Sequence, residues 1–193
     1  MAKPPDAALQ EAIDALRIRD VYLRESGSFL AEGFEPKYDP AVDALRVEFQ
    51  HVVKGYSVLE VDHGSEAPTR LFRVFIQLGA RLVGAPDAAE DVAETAAADP
   101  QDAEPSTDHA PTPAHPVLVR AEVSGMMVAE YDIAGDPSSA ALEAFARRNA
   151  SYHVWPYWRE FLASQCARMN LPKLVLPAVQ VARPPQPESA PKQ

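Results

Sequence analysis

Large apolar side chains recur at helical spacing near the C-terminal end of the chain. Within residues 152–177 they are spaced three and four positions apart, and polar residues fill the positions between them. This spacing places the apolar side chains on one face of an α-helix. They are Trp158, Phe161, Leu162, Cys166 and Met169. Pro156 fits the first turn of this helix, where its missing N–H costs little, and Pro172 is expected to end it.

A second helical pattern comes directly before the first. Asp136 is suited to be an N-cap and Pro137 to be the first helical residue. Leu142 and Phe145 then fall on one face. The two patterns together predict either one kinked helix or two helical pieces over about residues 137–169.

Four stretches before these helices have the apolar alternation and β-branched content of strands. They are residues 17–26, 44–61, 71–83 and 116–133. Gly27 is expected to end the first strand, and the adjacent Val52 and Val53 indicate a bulge or a change of face in the second. Residues 62–68 are rich in turn-forming residues that disfavour strands, which predicts a hairpin-like turn. The sequence therefore predicts an α+β fold, with a four-stranded antiparallel sheet followed by a long helix.

One domain, residues 15–180, is expected between two terminal segments. Residues 1–14 form an N-terminal arm, where the spacing of Leu9, Ile13 and Leu16 allows a short helix. Residues 181–193 are rich in proline and are predicted to be disordered. Residues 85–116 hold eight acids, six prolines and no lysine, arginine or aromatic residue, so we predict a disordered acidic insertion.

The charge of the chain narrows the choice of partners. The net charge is −10, of which the insertion carries −8. An acidic surface argues against nucleic acid or an anionic membrane as partner. The N-terminal residues resemble no signal peptide, and no apolar run is long enough to span a membrane. The single cysteine, Cys166, cannot form an internal disulfide, which fits the cytoplasm.

The sequence contains no recognisable catalytic, cofactor-binding or metal-binding motif. Its five histidines lack ligand spacing. One predicted turn contains Asp62, His63 and Ser65. A solvated hairpin turn is a better interpretation of these three residues than a catalytic triad. We therefore expect no enzyme activity, no cofactor and no metal, and a binding function instead.

Two short motifs resemble the SecB export-chaperone family. Residues 155–160 read WPYWRE, similar to the family's motif at the start of its main helix, and residues 172–177 read PKLVLP, similar to the run that follows it. Four strands before that helix also match. The resemblance implies a cytoplasmic, ATP-independent holdase that binds unfolded preproteins and keeps them competent for translocation during protein export. It also implies a homo-tetramer, built as a dimer of dimers with the helices between sheets.

The resemblance also implies a docking site for the SecA motor, formed by acids on the outer sheet face. Asp20 and Glu122 fall at matching places, and Glu25 matches loosely. Each can equally be an ordinary solvated acid. The acidic insertion and the absence of a second C-terminal helix depart from the family pattern, which puts SecA docking in doubt. Some SecB-like proteins instead hold an aggregation-prone antitoxin, and a non-chaperone oligomeric adaptor is a further alternative.

A holdase needs exposed apolar side chains that tolerate many client sequences. The candidates for client binding are Met126, Met127, Tyr131, Trp155, Trp158 and Phe161. The alternative is burial in the core of the subunit or of the tetramer, which we favour for Trp158 and Phe161.

Overall fold

The computed structural model describes residues 7–62, 64, 68–84 and 118–176. The predicted acidic insertion, residues 85–116, and the predicted tail, residues 181–193, lie outside them. The helices are α1 (Ala7–Ala15), α2 (Ser139–Arg148) and α3 (Ala150–Arg168), and the strands are β1 (Leu16–Leu30), β2 (Arg46–Val61), β3 (Thr69–Gly84) and β4 (Leu118–Ile133). A short 3-10 helix, Val42–Ala44, precedes β2.

The four strands form one antiparallel sheet in the order β1-β4-β3-β2. The predicted α+β fold is therefore confirmed. β1 and β2 are the edge strands, and the central pair is joined through the insertion. Gly84 at the end of β3 is paired with Leu118 at the start of β4, so the two strand ends lie side by side.

β1 is longer than predicted because Gly27 does not end it. The strand continues to Leu30, and Gly27 is paired with Ser124 of β4. Pairing with a long neighbouring strand outweighs the weak strand propensity of a single glycine. The bulge expected at Val52 and Val53 occurs one residue later, since Lys54 is the residue without a partner on β3.

The C-terminal helical region consists of two pieces. The break lies at Asn149, whose φ of −121° and ψ of −40° are not helical. The prediction that Asp136 is the N-cap of α2 is wrong. Ser138 is the cap and its hydroxyl accepts a hydrogen bond from the Ala141 N–H at 3.2 Å. The Asp136 carboxylate accepts instead from the Arg70 guanidinium.

Pro156 lies inside α3 rather than in its first turn. The helix starts earlier than predicted because side chains before the proline, such as Val154, are also buried against the sheet. The helix ends before Pro172, at a left-handed Asn170 with φ 54°. There the Leu171 N–H donates to the Cys166 carbonyl at 2.9 Å, the pattern of a Schellman motif. Residues 171–176, which follow the helix, form no strand.

The helices α2 and α3 pack on one face of the sheet, which we call the helix face. On β3, alternate residues are completely buried there, whereas Phe75 and Arg73 lie on the opposite, outer face. The fully buried alternate residues are Phe72, Val74, Ile76 and Leu78.

The predicted N-terminal arm contains a packed helix, α1. Ala12 of α1 is completely buried. The Glu11 carboxylate accepts a hydrogen bond from the Ser138 N–H at 2.7 Å, which holds α1 against the start of α2. None of the helices in the described part of the chain has the length and apolar character needed to cross a membrane.

Candidate binding surface

The helix layer is narrower than the sheet that it covers. Four strands at a spacing of about 4.8 Å make a sheet about 19 Å wide, whereas a helix with its side chains is about 10 Å across. α3 packs mainly on the inner strand β4 and also reaches β1 and β3. Apolar side chains on the helix face of the edge strands are therefore left partly uncovered.

The first uncovered region is the β2 flank, which consists of Phe49, Tyr56 and Val58. These side chains are 44%, 40% and 43% exposed. Their register partners on β3, at Ala80, Val74 and Phe72, are buried on the helix face, which places the flank on the same side as the helices. The Tyr56 ring lies 5.4 Å from the Phe72 ring, so the flank continues the apolar core to the edge of the sheet.

A second uncovered region, the β1 flank, lies at the opposite edge and consists of Ile18, Leu23 and Leu30. Their exposures are 50%, 38% and 37%. Ile18 and Leu30 are paired with Tyr131 and Ala121, two buried residues of the helix face. The helix face thus presents an apolar strip on each side of the helices.

The rim between the β2 flank and α3 is uncharged. The His51 Nε2 lies 2.8 Å from the Ser151 Oγ on α3, and the His51 ring packs edge-on against Trp155 at 6.2 Å. Burial lowers the pKa of His51, so this imidazole is neutral at pH 7. The Trp155 Nε1 is buried and finds no hydrogen-bond acceptor among the described residues.

Three of the six predicted client contacts lie in the core of the subunit. Trp158, Tyr131 and Met127 are only 1%, 1% and 3% exposed. The Trp158 indole packs on the sheet over Gly125. A Cβ at this position would lie at an ordinary 3.6 Å from the indole and would crowd the Leu23 side chain, 2.9 Å away. The Tyr131 hydroxyl is 2.7 Å from the His153 Nδ1. In this conformation these side chains hold the helix on the sheet and do not reach a client.

The other three predicted contacts lie in different places. Met126 is half-buried on the outer face, opposite its neighbour Met127. Trp155 and Phe161 are half-buried on α3, and the Phe161 ring packs on Trp158 at a centroid distance of 5.7 Å. The six residues therefore do not form one surface.

Sequence reasoning missed both flanks. The alternation of Phe49 and Val58 with polar neighbours was visible in the sequence. It did not show that β2 is an edge strand, nor that α2 and α3 cover it only in part. An alternating strand in the middle of this sheet would have had the same pattern and a covered face.

The acids suggested for motor docking lie far apart on the outer face. Asp20 is paired with Glu130 of β4, whereas Glu122 lies eight residues earlier on the same strand, about 27 Å away. The Asp20 carboxylate accepts a hydrogen bond from the Val21 N–H. Glu122 lines a depression of about 430 Å³ beside Arg81.

Two further acids of this face, Glu130 and Glu48, are paired with cations. Glu130 forms ion pairs with Arg73 and Arg19. Glu48 is paired with Arg81 at 2.6 Å. The outer face of the described sheet is therefore a mixed-charge surface and not a continuous acidic patch.

Comparison with known proteins supports the fold. No family model and no curated protein sequence matches the chain. Among solved structures, it is similar to the SecB-like chaperone Rv1957 of Mycobacterium tuberculosis in complex with a ChAD peptide from the HigA1 antitoxin. The TM-score is 0.56 at 16% sequence identity, and the match covers 92% of this chain and 100% of the other. The chain has a SecB-like fold.

Proposed function

We propose that the protein is an ATP-independent chaperone that holds an aggregation-prone polypeptide on the helix face of its sheet. The observation that carries this proposal is the β2 flank, where Phe49, Tyr56 and Val58 extend the core to the sheet edge and stay partly exposed. An exposed apolar surface of this kind marks an interaction site. The neutral His51 and Trp155 extend it toward α3 without adding charge.

The favoured client is an antitoxin of a toxin–antitoxin system. A solved structure with a similar fold is a SecB-like chaperone bound to an antitoxin peptide, which supports this client better than general protein export. The scattered and paired acids of the outer face give no added support to docking of the SecA motor. Preprotein export is therefore the second candidate.

The site is tested by an aggregation assay with two phenylalanine variants. Phe49→Ser removes an aromatic ring from the β2 flank, and Phe29→Ser removes a ring of similar exposure, 48% against 44%, from the outer face of the other edge strand. Reduced α-lactalbumin, diluted without ATP, serves as the unfolded client. We expect Phe49→Ser to weaken suppression of aggregation roughly tenfold, because the lost contact is about 1.4 kcal/mol or more, and Phe29→Ser to have little effect.

Two outcomes would overturn the proposal. If the unaltered protein does not suppress aggregation, it is not a holdase. If both variants are equally active, the client binds elsewhere. The two client classes are then separated by co-expression. The protein is expressed together with an antitoxin or with an exported preprotein, and the client that it keeps soluble identifies the class.

A further inference from the structure

The outer face of the sheet carries a second surface that the chaperone proposal does not use. Phe75 of β3 and Met126 of β4 lie diagonally across from each other near the middle of this face. Arg24 and Lys54 flank them from the two edge strands. We call these four residues the outer shelf. They line a shallow depression of about 380 Å³ together with Glu25, Gly55 and Tyr56.

Both cations of the outer shelf are placed there by β-bulges. Arg24 has no partner on β4, because the register passes from Leu23 to Glu25, and Lys54 has no partner on β3 for the same reason. A bulge re-aims the side chain of its extra residue. A further bulge on β1, at Arg19, also carries a cation, which reaches Asp132 on the outer face.

The shelf cations differ from three arginines of this face, Arg19, Arg73 and Arg81, in having no carboxylate partner. All three of these arginines form ion pairs. Within the described residues, no carboxylate lies within ion-pair distance of Arg24 or Lys54. The Arg24 guanidinium lies over the face of the Phe75 ring, 5.5 Å from its centroid.

We propose that the outer shelf docks an acidic segment of a partner polypeptide that also carries an aromatic or aliphatic side chain. Carboxylates of the partner pair with Arg24 and Lys54, and its apolar side chain lies on Phe75 and Met126. The strands that carry the two cations are three spacings apart, about 14 Å. An extended segment with carboxylates about four residues apart spans that distance.

The same charges disfavour nucleic acid. Glu25 lines the shelf itself, and Glu48 and Glu122 lie in the adjoining depression. A continuous phosphate backbone would pass close to these acids, whereas a peptide can place its carboxylates only at the two cations. The docking surface therefore fits a polypeptide with spaced acids.

The test uses a fluorescein-labelled peptide with glutamates alternating with valines about a central phenylalanine, and its glutamine twin. Fluorescence anisotropy is measured on the full chain and on Arg24→Gln, Lys54→Gln and the double variant. Each substitution is expected to weaken binding of the glutamate peptide about two- to fivefold, as for exposed ion pairs. The matched control is Lys37→Gln, which removes a cation held 5.3 Å from the Tyr38 ring in a loop, and it should bind as the unaltered protein does.

Several outcomes would overturn the inference. The inference is wrong if the glutamate peptide does not bind, or if its glutamine twin binds equally well. It is also wrong if the double variant binds the glutamate peptide as tightly as the unaltered protein does. Equally tight binding of a single-stranded oligonucleotide would indicate a general polyanion site. If the glutamate peptide binds only after residues 85–116 are deleted, the occupant is the chain's own acidic segment and not a separate partner. Aggregation suppression by the double variant should equal that of the unaltered protein, since the β2 flank is intact.

Discussion

The Tyr131 hydroxyl on β4 lies 2.7 Å from the His153 Nδ1 on α3, in a cluster with Phe72 and Phe145. Burial raises the pKa of Tyr131, so its hydroxyl stays protonated, and burial lowers the pKa of His153. In the tautomer whose Nδ1 carries no proton, the neutral imidazole accepts the hydrogen bond from the hydroxyl. This contact joins the start of α3 to the centre of the sheet.

The lowered histidine pKa predicts a loss of stability in mild acid. The folded-state pKa of His153 lies below its unfolded value of about 6.5, so the unfolded chain binds more protons as the pH falls. The stabilising contribution is complete above pH 6.5 and is lost as the pH falls through the folded-state pKa. His51 acts in the same direction. Urea unfolding at about pH 7.5 and about pH 5.5 measures the difference.

His153→Gln provides the control for this pH dependence. Glutamine keeps a hydrogen-bonding side chain but does not titrate in this range. The variant should lose less stability between the two pH values than the unaltered protein. An unchanged pH dependence would show that His153 does not contribute.

Trp158 is expected to be the largest single side-chain contribution to the packing of α3. It is 1% exposed and covers Gly125. Trp158→Ala should lower the free energy of unfolding by about 3–5 kcal/mol, because it removes buried surface and leaves a cavity. Its neighbour Tyr157 is 52% exposed, so Tyr157→Ala should change stability by about 0.5 kcal/mol or less. Equal losses in the two variants would contradict the orientation of the helix.

Phe161→Asp is expected to disrupt a tetramer. We predict that the partly exposed side of α3 packs against other subunits, and Phe161 lies there half-buried over Trp158. An unpaired charge in such an interface costs several kcal/mol. Sedimentation velocity should show smaller species, with circular dichroism confirming that the variant is folded. A stable monomer of the unaltered chain at micromolar concentration would contradict the predicted assembly.

Client binding is expected to be nearly independent of salt. The β2 flank is apolar and its rim is neutral, whereas charge contacts are screened beyond about 10 Å at 0.1 M salt. Reduced α-lactalbumin should bind about equally well at low ionic strength and in half-molar salt, and its native form should not bind. The glutamate peptide on the outer shelf should weaken with salt, so the two surfaces can be told apart in one titration series.

Residues 85–116 are expected to be dispensable for folding. Gly84 and Leu118 are paired at the ends of β3 and β4, so a short Gly-Ser turn can join the two strands. Loop length has a small effect on closure, about 0.6 kcal/mol per doubling. Replacing the segment should therefore shift the melting temperature by only a few degrees. A larger drop, measured by calorimetry, would mean that the segment packs on the body of the protein.

The sequence by itself determined the local elements of this protein. Period-two alternation located the four strands, and spacing of three and four located the helices. Predictions of where an element begins or ends were wrong where another part of the chain interacts with the same residue. Asp136 is a good N-cap, but its carboxylate is taken by Arg70, and Gly27 is a weak strand residue that a long neighbouring strand keeps in the sheet. Pro156 is accommodated inside α3 because the residues before it are also buried.

Only the tertiary structure decided which apolar residues are available for binding. The chemistry of Trp158 and Met127 made them candidates for client binding. Both are buried in the core because α3 lies over the centre of the sheet. Phe49 has an ordinary strand pattern, and it is partly exposed because β2 is an edge strand that the two helices cover incompletely. Exposure depends on strand order and layer width, which arise from contacts between residues far apart in the chain. Local periodicity carries no information about either.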